Sequence, residues 1–174
     1  MRREWALYLT LVGVALGALA LMTLWTRPMI EAGGLEMFDV RTGGYSFPEA
    51  VRFLDQLNDD SRRLYLGAQR MLDTIFPLAL TGALALGMFL ALRHVSRVLG
   101  SVLGLVPLAY LVFDLLENAA VAKMLRTDGP SLDMVTRASQ WTELKWVAVQ
   151  ASFALLALCI VLRVAQGLVS KLRA

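Results

Sequence analysis

Four stretches of this chain stay apolar for long enough to cross a bilayer, and the segments between them are polar. A spanning helix needs roughly 20 such residues at 1.5 Å of rise each. The first stretch runs from Trp5 to Trp25, with Trp5 and Tyr8 near one end and Trp25 at the other, where aromatic rings suit a membrane interface. The pattern predicts an all-α membrane protein, a four-transmembrane-helix bundle with spans at 5–26, 73–93, 98–122 and 144–163. The opening Met1-Arg2-Arg3-Glu4 resembles the start of a signal peptide, and Ala18-Leu19-Ala20 could pass for a cleavage site. The apolar run that follows is longer than the roughly 7 to 15 residues of a signal core, so it reads as an uncleaved span.

The connections carry their own patterns. Residues 27–71 are polar, and a structureless loop of that length would be unusual. Ser46 followed by Phe47-Pro48-Glu49 is a helix start, and Val51, Leu54 and Leu57 recur at three-residue spacing. A short amphipathic helix is therefore expected between spans 1 and 2. Asn58-Asp59-Asp60-Ser61 ends it, with Asp60 or Ser61 capping a helix that runs from Arg62 into the second span and can kink at Pro77. Arg93-His94-Val95-Ser96-Arg97 is a tight basic turn. Lys123 to Gln140 is expected as a connection around the Asp128-Gly129-Pro130 turn, with an amphipathic piece after it. Gly13-x-x-x-Gly17 and Gly100-x-x-x-Gly104 permit close helix contact, while Gly33-Gly34 and Gly43-Gly44 loosen the long polar segment.

Composition changes this picture little. The 174 residues are 57% hydrophobic and 18% charged, the excess apolar character lies in the four runs, and one integral domain over 1–174 is expected. The net charge of +3 matters through its placement. Basic residues largely without acids flank the N-terminus, the 93–97 turn and the tail that holds Arg163, Lys171 and Arg173. The positive-inside rule then puts both termini and that turn in the cytoplasm of a cell with an inner (plasma) membrane, and segment 27–71 outside. No recognition motif accompanies the charge, so membrane lipids are the expected partners and nucleic acid is not. Other membrane subunits or a second copy are further candidate partners. Cys159 is the lone cysteine and His94 the lone histidine; neither has the company a metal site needs, and no cofactor is expected.

The candidate chemistry lies inside the apolar runs. In Phe113-Asp114-Leu115-Leu116-Glu117-Asn118, two carboxylates and an amide at i, i+3 and i+4 share one helix face. A charged group near the centre of a span costs roughly 2.5–3.5 kcal/mol on insertion scales, so such residues face a partner or a wet cavity. An arginine at the end of each of the last three spans serves as a ruler. Asp114 is 17 residues from Arg97, Lys145 is 18 from Arg163 and Asp73 is 20 from Arg93. At helical rise these distances are about 25, 27 and 30 Å, one common depth. On the third span Leu103, Pro107, Tyr110, Asp114, Glu117, Asn118 and Val121 share a face. On the fourth, Thr142, Lys145, Val149 and Ser152 do, with Glu143 turned elsewhere. On the second, Arg62, Gln69, Asp73, Pro77 and Thr81 form one stripe. Lys145 is then the expected counter-ion of Asp114 or Glu117, with Arg62 or Arg70 above, and Trp141 and Trp146 mark the outer headgroup level.

The combination Arg62-x-x-Tyr65, Asp73-x-x-Phe76-Pro77, Asp114-x-x-Glu117-Asn118 and Thr142-x-x-Lys145-Trp146 resembles a family of small bacterial four-transmembrane-helix inner-membrane proteins without an assigned activity. The resemblance covers about Tyr45 to Trp146 and implies four spans in the inner membrane. It brings no substrate or cofactor with it.

Two classes of function fit these residues best. In the first, the acidic cluster of Asp73, Asp114, Glu117, Asn118, Thr142 and Lys145, with Arg62 and Tyr65, holds a lipid headgroup, a cation or a small amphiphile. In the second, a membrane enzyme acts on a lipid or isoprenoid, with Asp114 or Glu117 as general acid or base. The chain has no nucleophile–base pair, zinc motif or phosphate-cradling glycine loop to support it. A structural subunit locked by a buried Asp–Lys pair is a further reading. A carrier would need an internal repeat that the sequence lacks.

Overall fold

The computed structural model describes residues 2–31 and 34–172, the side chain of Lys171 excepted. Gly33 of the first glycine pair and Arg173 of the basic tail lie outside them. The described residues hold helices and no strand: α1 (Arg2–Ile30), α2 (Phe47–Gln56), α3 (Asp59–Leu92), α4 (Arg97–Leu125) and α5 (Leu132–Leu172). All but α2 are long and apolar enough to cross a membrane, the architecture of a multi-pass membrane protein.

The third helix, α3, is the hub. It packs against α1, α4 and α5, while α4 and α5 pack extensively on each other. No comparable seam joins α1 to α5. Glycine decides two of these approaches. A methyl group on Gly100 would lie 3.2 Å from Phe89 Cα, and one on Gly104 would lie 3.2 Å from the Ala85 carbonyl oxygen. The second small-residue motif thus lets α4 begin against the backbone of α3. The first is not used in this way, since nothing lies within 4 Å of such a group on Gly13 or Gly17.

Three departures from the expected elements have plain causes. The fourth helix, α4, is interrupted: Arg97–Leu103 and Pro107–Leu125 are helical, and Gly104 to Val106 form a turn. Pro107 has no N–H, and bonds of the i→i−3 kind, such as Leu108 N to the Leu105 carbonyl at 3.1 Å, replace the ladder there. The connection expected over 123–140 shrinks to a short link, because α4 continues to Leu125 and α5 starts at Leu132. The amphipathic piece is the first turns of α5, which runs unbroken for 41 residues. Asn58, not Asp60 or Ser61, caps α3, its carboxamide oxygen accepting from the Ser61 N–H at 2.8 Å.

Two short π-helical segments, Met22–Thr26 in α1 and Tyr65–Gln69 in α3, face each other and are joined by a hydrogen bond from the Thr26 hydroxyl to the Gln69 side chain. Beyond them, residues 34–57 fold into a cap over the ends of α3, α4 and α5. Its core is aromatic: Phe38 meets Tyr45 and Phe53 at centroid distances of 4.6 and 4.8 Å. Val121, Met124 and Leu125 of α4 and Val135 and Ala138 of α5 complete it. In α2, the N–H and hydroxyl of Ser46 both donate to Glu49, at 2.7 and 2.6 Å, and hold its carboxyl below the usual range. At the opposite end, Arg93 pairs with Glu4, so the start of α1 and the 93–97 turn lie together.

The cap is fastened to α5 at a point that requires glycine. Tyr45 N–H donates to Ser139 Oγ at 2.8 Å, and the preceding Gly44 has φ +73°. A side chain there would meet the Glu143 carboxylate and, at 2.5 Å, Ser139 Oγ. Gly44→Ala is expected to lower stability by about 1–2 kcal/mol from the left-handed backbone alone. It should also speed hydrogen exchange at Tyr45 N–H. Unchanged exchange would show that this junction does not hold the cap.

Candidate functional site: a polar-headed cavity inside the bundle

Three helices and the cap supply the polar groups. Asp114, Glu117 and Asn118 of α4, Gln69 and Asp73 of α3, and Thr142 and Lys145 of α5 are all buried. They make two junctions between helices, one of them a lock, and Gln69, Asp73, Asp114 and Lys145 also line a cavity.

The lock joins α4 to α5. Lys145 Nζ pairs with Glu117 and lies 3.7 Å from Asp114 Oδ1, and the Thr142 hydroxyl donates to the second oxygen of Glu117. Glu117 is 0% exposed. A carboxylate held there is tolerable only because a cation and a hydroxyl face it.

A second junction joins α4 to α3. Pro77 leaves the Asp73 carbonyl without its i+4 donor. Asn118 Nδ2 donates to that carbonyl at 2.9 Å and to Asp114 Oδ2 at 3.0 Å. One amide thus closes the gap in α3 and orients a carboxylate of its own helix. Pro77 sits within a continuous helix, whereas Pro107 opens one at its first turn.

Beside this junction lies a cavity of about 730 Å³ bounded by α1, α3 and α5, with Tyr110 and Asp114 of α4 behind and cap residues 37, 39 and 40 above. Its cap end is polar, lined by Arg27, Asp39, Gln69, Asp73, Asp114 and Lys145. Below that the wall is apolar, with Val12, Leu16, Leu80, Ala83, Val149 and Phe153. The floor forms at Gly87 of α3. A methyl group there would lie 3.2 Å from Leu156 of α5 and 3.3 Å from Tyr8 of α1, and both of those side chains also line the cavity. From Asp73 to Gly87 is 14 residues, or about 21 Å along the helix. Its volume falls within the range of sites for small organic ligands.

Asp39 is the residue that sequence reasoning missed. It lies in a short 3₁₀ turn of the cap, Phe38–Val40, and is 7% exposed. Tyr65 donates to Asp39 Oδ2 at 2.6 Å, and Trp146 Nε1 donates to the Asp39 carbonyl at 3.2 Å. The available signal was the acid itself, set between Phe38 and Val40 in an otherwise polar segment. Trp146 also lines the cavity, so this bond tethers the cap to its wall, and Trp141 stacks on Phe113 at 6.0 Å.

Arg62 does not join the cluster. Its guanidinium donates to the carbonyls of Leu125 at 2.5 Å and Leu54 at 3.2 Å, closing the last turn of α4 onto the cap. The π-helical segment between Arg62 and Asp73 is the cause. It adds a residue to one turn and so rotates what precedes it by about 100°. Tyr65 is close to the site but serves Asp39. Among the described residues no group of His, Cys, Asp and Glu side chains is suited to a metal ion.

No family model, curated protein or solved structure matches the chain.

Proposed function

We propose that this protein binds an amphiphile from the membrane, with the headgroup at the acidic end of the cavity and the hydrocarbon along its apolar wall. The protein is assigned to the inner membrane, with both termini cytoplasmic and the cap outside, and acts as a binding or accessory component rather than as an enzyme. One observation carries the reading: a single cavity of about 730 Å³ changes from charged to apolar along its length. A small polar ligand would have no use for the lower part. The orientation is supported by the basic turn and tail and by the Arg93–Glu4 pair, which keeps the N-terminal end of α1 beside that turn. Against a general acid–base role for Glu117, its two oxygens face Lys145 and Thr142, and it is not part of the cavity wall.

The test is to purify the protein in detergent, extract it with organic solvent and identify what it carried by mass spectrometry. Ala83 lines the apolar wall and is 5% exposed. A large side chain there fills the cavity, so Ala83→Trp should carry at least tenfold less of the enriched species. If the wild type carries nothing beyond what Ala83→Trp carries, the cavity is not a lipid site.

A further inference from the structure

The charge balance of the cavity's polar end identifies the kind of head it receives. Two cations line it, and both are matched. Arg27 Nε donates to Glu31 at 2.8 Å, with Glu36 3.6 Å from the same guanidinium. Lys145 is held by Glu117 with Asp114 beside it. Two carboxylates are not matched in this way. Asp39 Oδ1 and Asp73 Oδ2 are buried without a hydrogen-bond partner, on residues 7% and 5% exposed, and both residues line the cavity. They come from different parts of the fold, the cap and α3. Tyr65 satisfies one oxygen of Asp39 and leaves the other unserved. An unserved buried carboxylate oxygen is costly, and a donor that also carries positive charge is its strongest partner.

A route into the cavity is also visible. Leu16 and Leu19 of α1 and Phe153 of α5 line the cavity and are 60%, 43% and 50% exposed. They form the two lips of a slot between helices that share no extensive seam. The slot lies at the depth of the apolar wall, so it faces hydrocarbon, and a membrane amphiphile can enter sideways.

We infer that the ligand is a single-chain cationic amphiphile whose amine or ammonium nitrogen sits against Asp39 and Asp73, and that it enters between α1 and α5. This rests on the amphiphile reading above and names its head and its path. The length of the wall, about 21 Å at helical rise, accommodates a chain of roughly 16 carbons. A phosphate or carboxylate head would bring a further anion against unmatched carboxylates. Because the two aspartates belong to separate parts of the fold, the cation also ties the cap to α3.

The experiment titrates the full chain in detergent with hexadecylamine, hexadecanol, hexadecyl phosphate and ethanolamine, following binding by calorimetry. Hexadecylamine should bind at least tenfold tighter than hexadecanol, and ethanolamine at least a hundredfold weaker. Asp39→Asn/Asp73→Asn should erase the preference for the amine while keeping affinity for hexadecanol, and each single variant should reduce it. In the wild type, hexadecylamine should slow hydrogen exchange across residues 38–45, and hexadecanol should not. Should hexadecanol or hexadecyl phosphate bind as tightly as the amine, the cationic head is wrong while the amphiphile cavity stands. Ethanolamine binding as well as hexadecylamine would overturn the single-chain amphiphile. If none of the long-chain probes binds, and Ala83→Trp behaves as wild type, both readings fall together.

Discussion

Lys145→Met is expected to lower stability by about 3–5 kcal/mol, the range seen when one partner of a buried ion pair is removed. The reason is what remains. Glu117 would be left fully buried with only the Thr142 hydroxyl facing it, and Asp114 would lose the ammonium 3.7 Å away. Interhelical hydrogen bonds in membrane proteins contribute far less, about 0.6 kcal/mol on average. The size of the loss therefore separates a true charge lock from ordinary polar packing. Adding Glu117→Gln to Lys145→Met removes the stranded charge and should recover most of the stability, since neutral groups of similar volume replace buried pairs at little cost. Thermal unfolding of the three proteins in one detergent measures this. A single variant within about 1 kcal/mol of wild type would mean that the pair is hydrated, and the reading of it as a buried charge lock would fail.

Much of this site could be read from spacing, because spacing fixes depth and facing in a straight helix. The stripes carrying Asp73, Asp114, Glu117, Thr142 and Lys145 are buried on α3, α4 and α5, and the depth ruler treats those helices as parallel rods. What the ruler cannot register is a change of phase. The π-helical turn Tyr65–Gln69 is invisible to hydropathy, and it removes Arg62 from the stripe that a uniform helix would give it. Hydropathy also reports where a helix meets lipid and not where it ends. The polar first turns of α5 therefore read as a connection, although no Gly or Pro interrupts the chain between Leu132 and Gln166. Asp39 was hidden for a third reason. Its position depends on contacts with Tyr65 and Trp146, 26 and 107 residues away in the chain, and no local pattern encodes those.

Asn118→Leu should cost about 2–3 kcal/mol, and the loss should shrink by about 1 kcal/mol when Pro77 is also replaced by Ala. Leucine leaves two acceptors without the amide: the Asp73 carbonyl and Asp114 Oδ2. Only the first of these is a consequence of Pro77. An alanine at 77 restores a backbone N–H four residues beyond Asp73, and the ordinary helical bond then serves that carbonyl. The double-mutant cycle isolates the part of Asn118's contribution that the proline creates. Equal losses in both backgrounds would show that the amide acts on Asp114 alone. The cycle bears on function as well as stability. The unsatisfied carbonyl belongs to the residue whose carboxyl lines the cavity, so the same amide that fastens α4 to α3 also fixes the height of Asp73. In Asn118→Leu, binding at Asp73 should therefore weaken along with the fold, and Pro77→Ala should restore stability more fully than it restores the site.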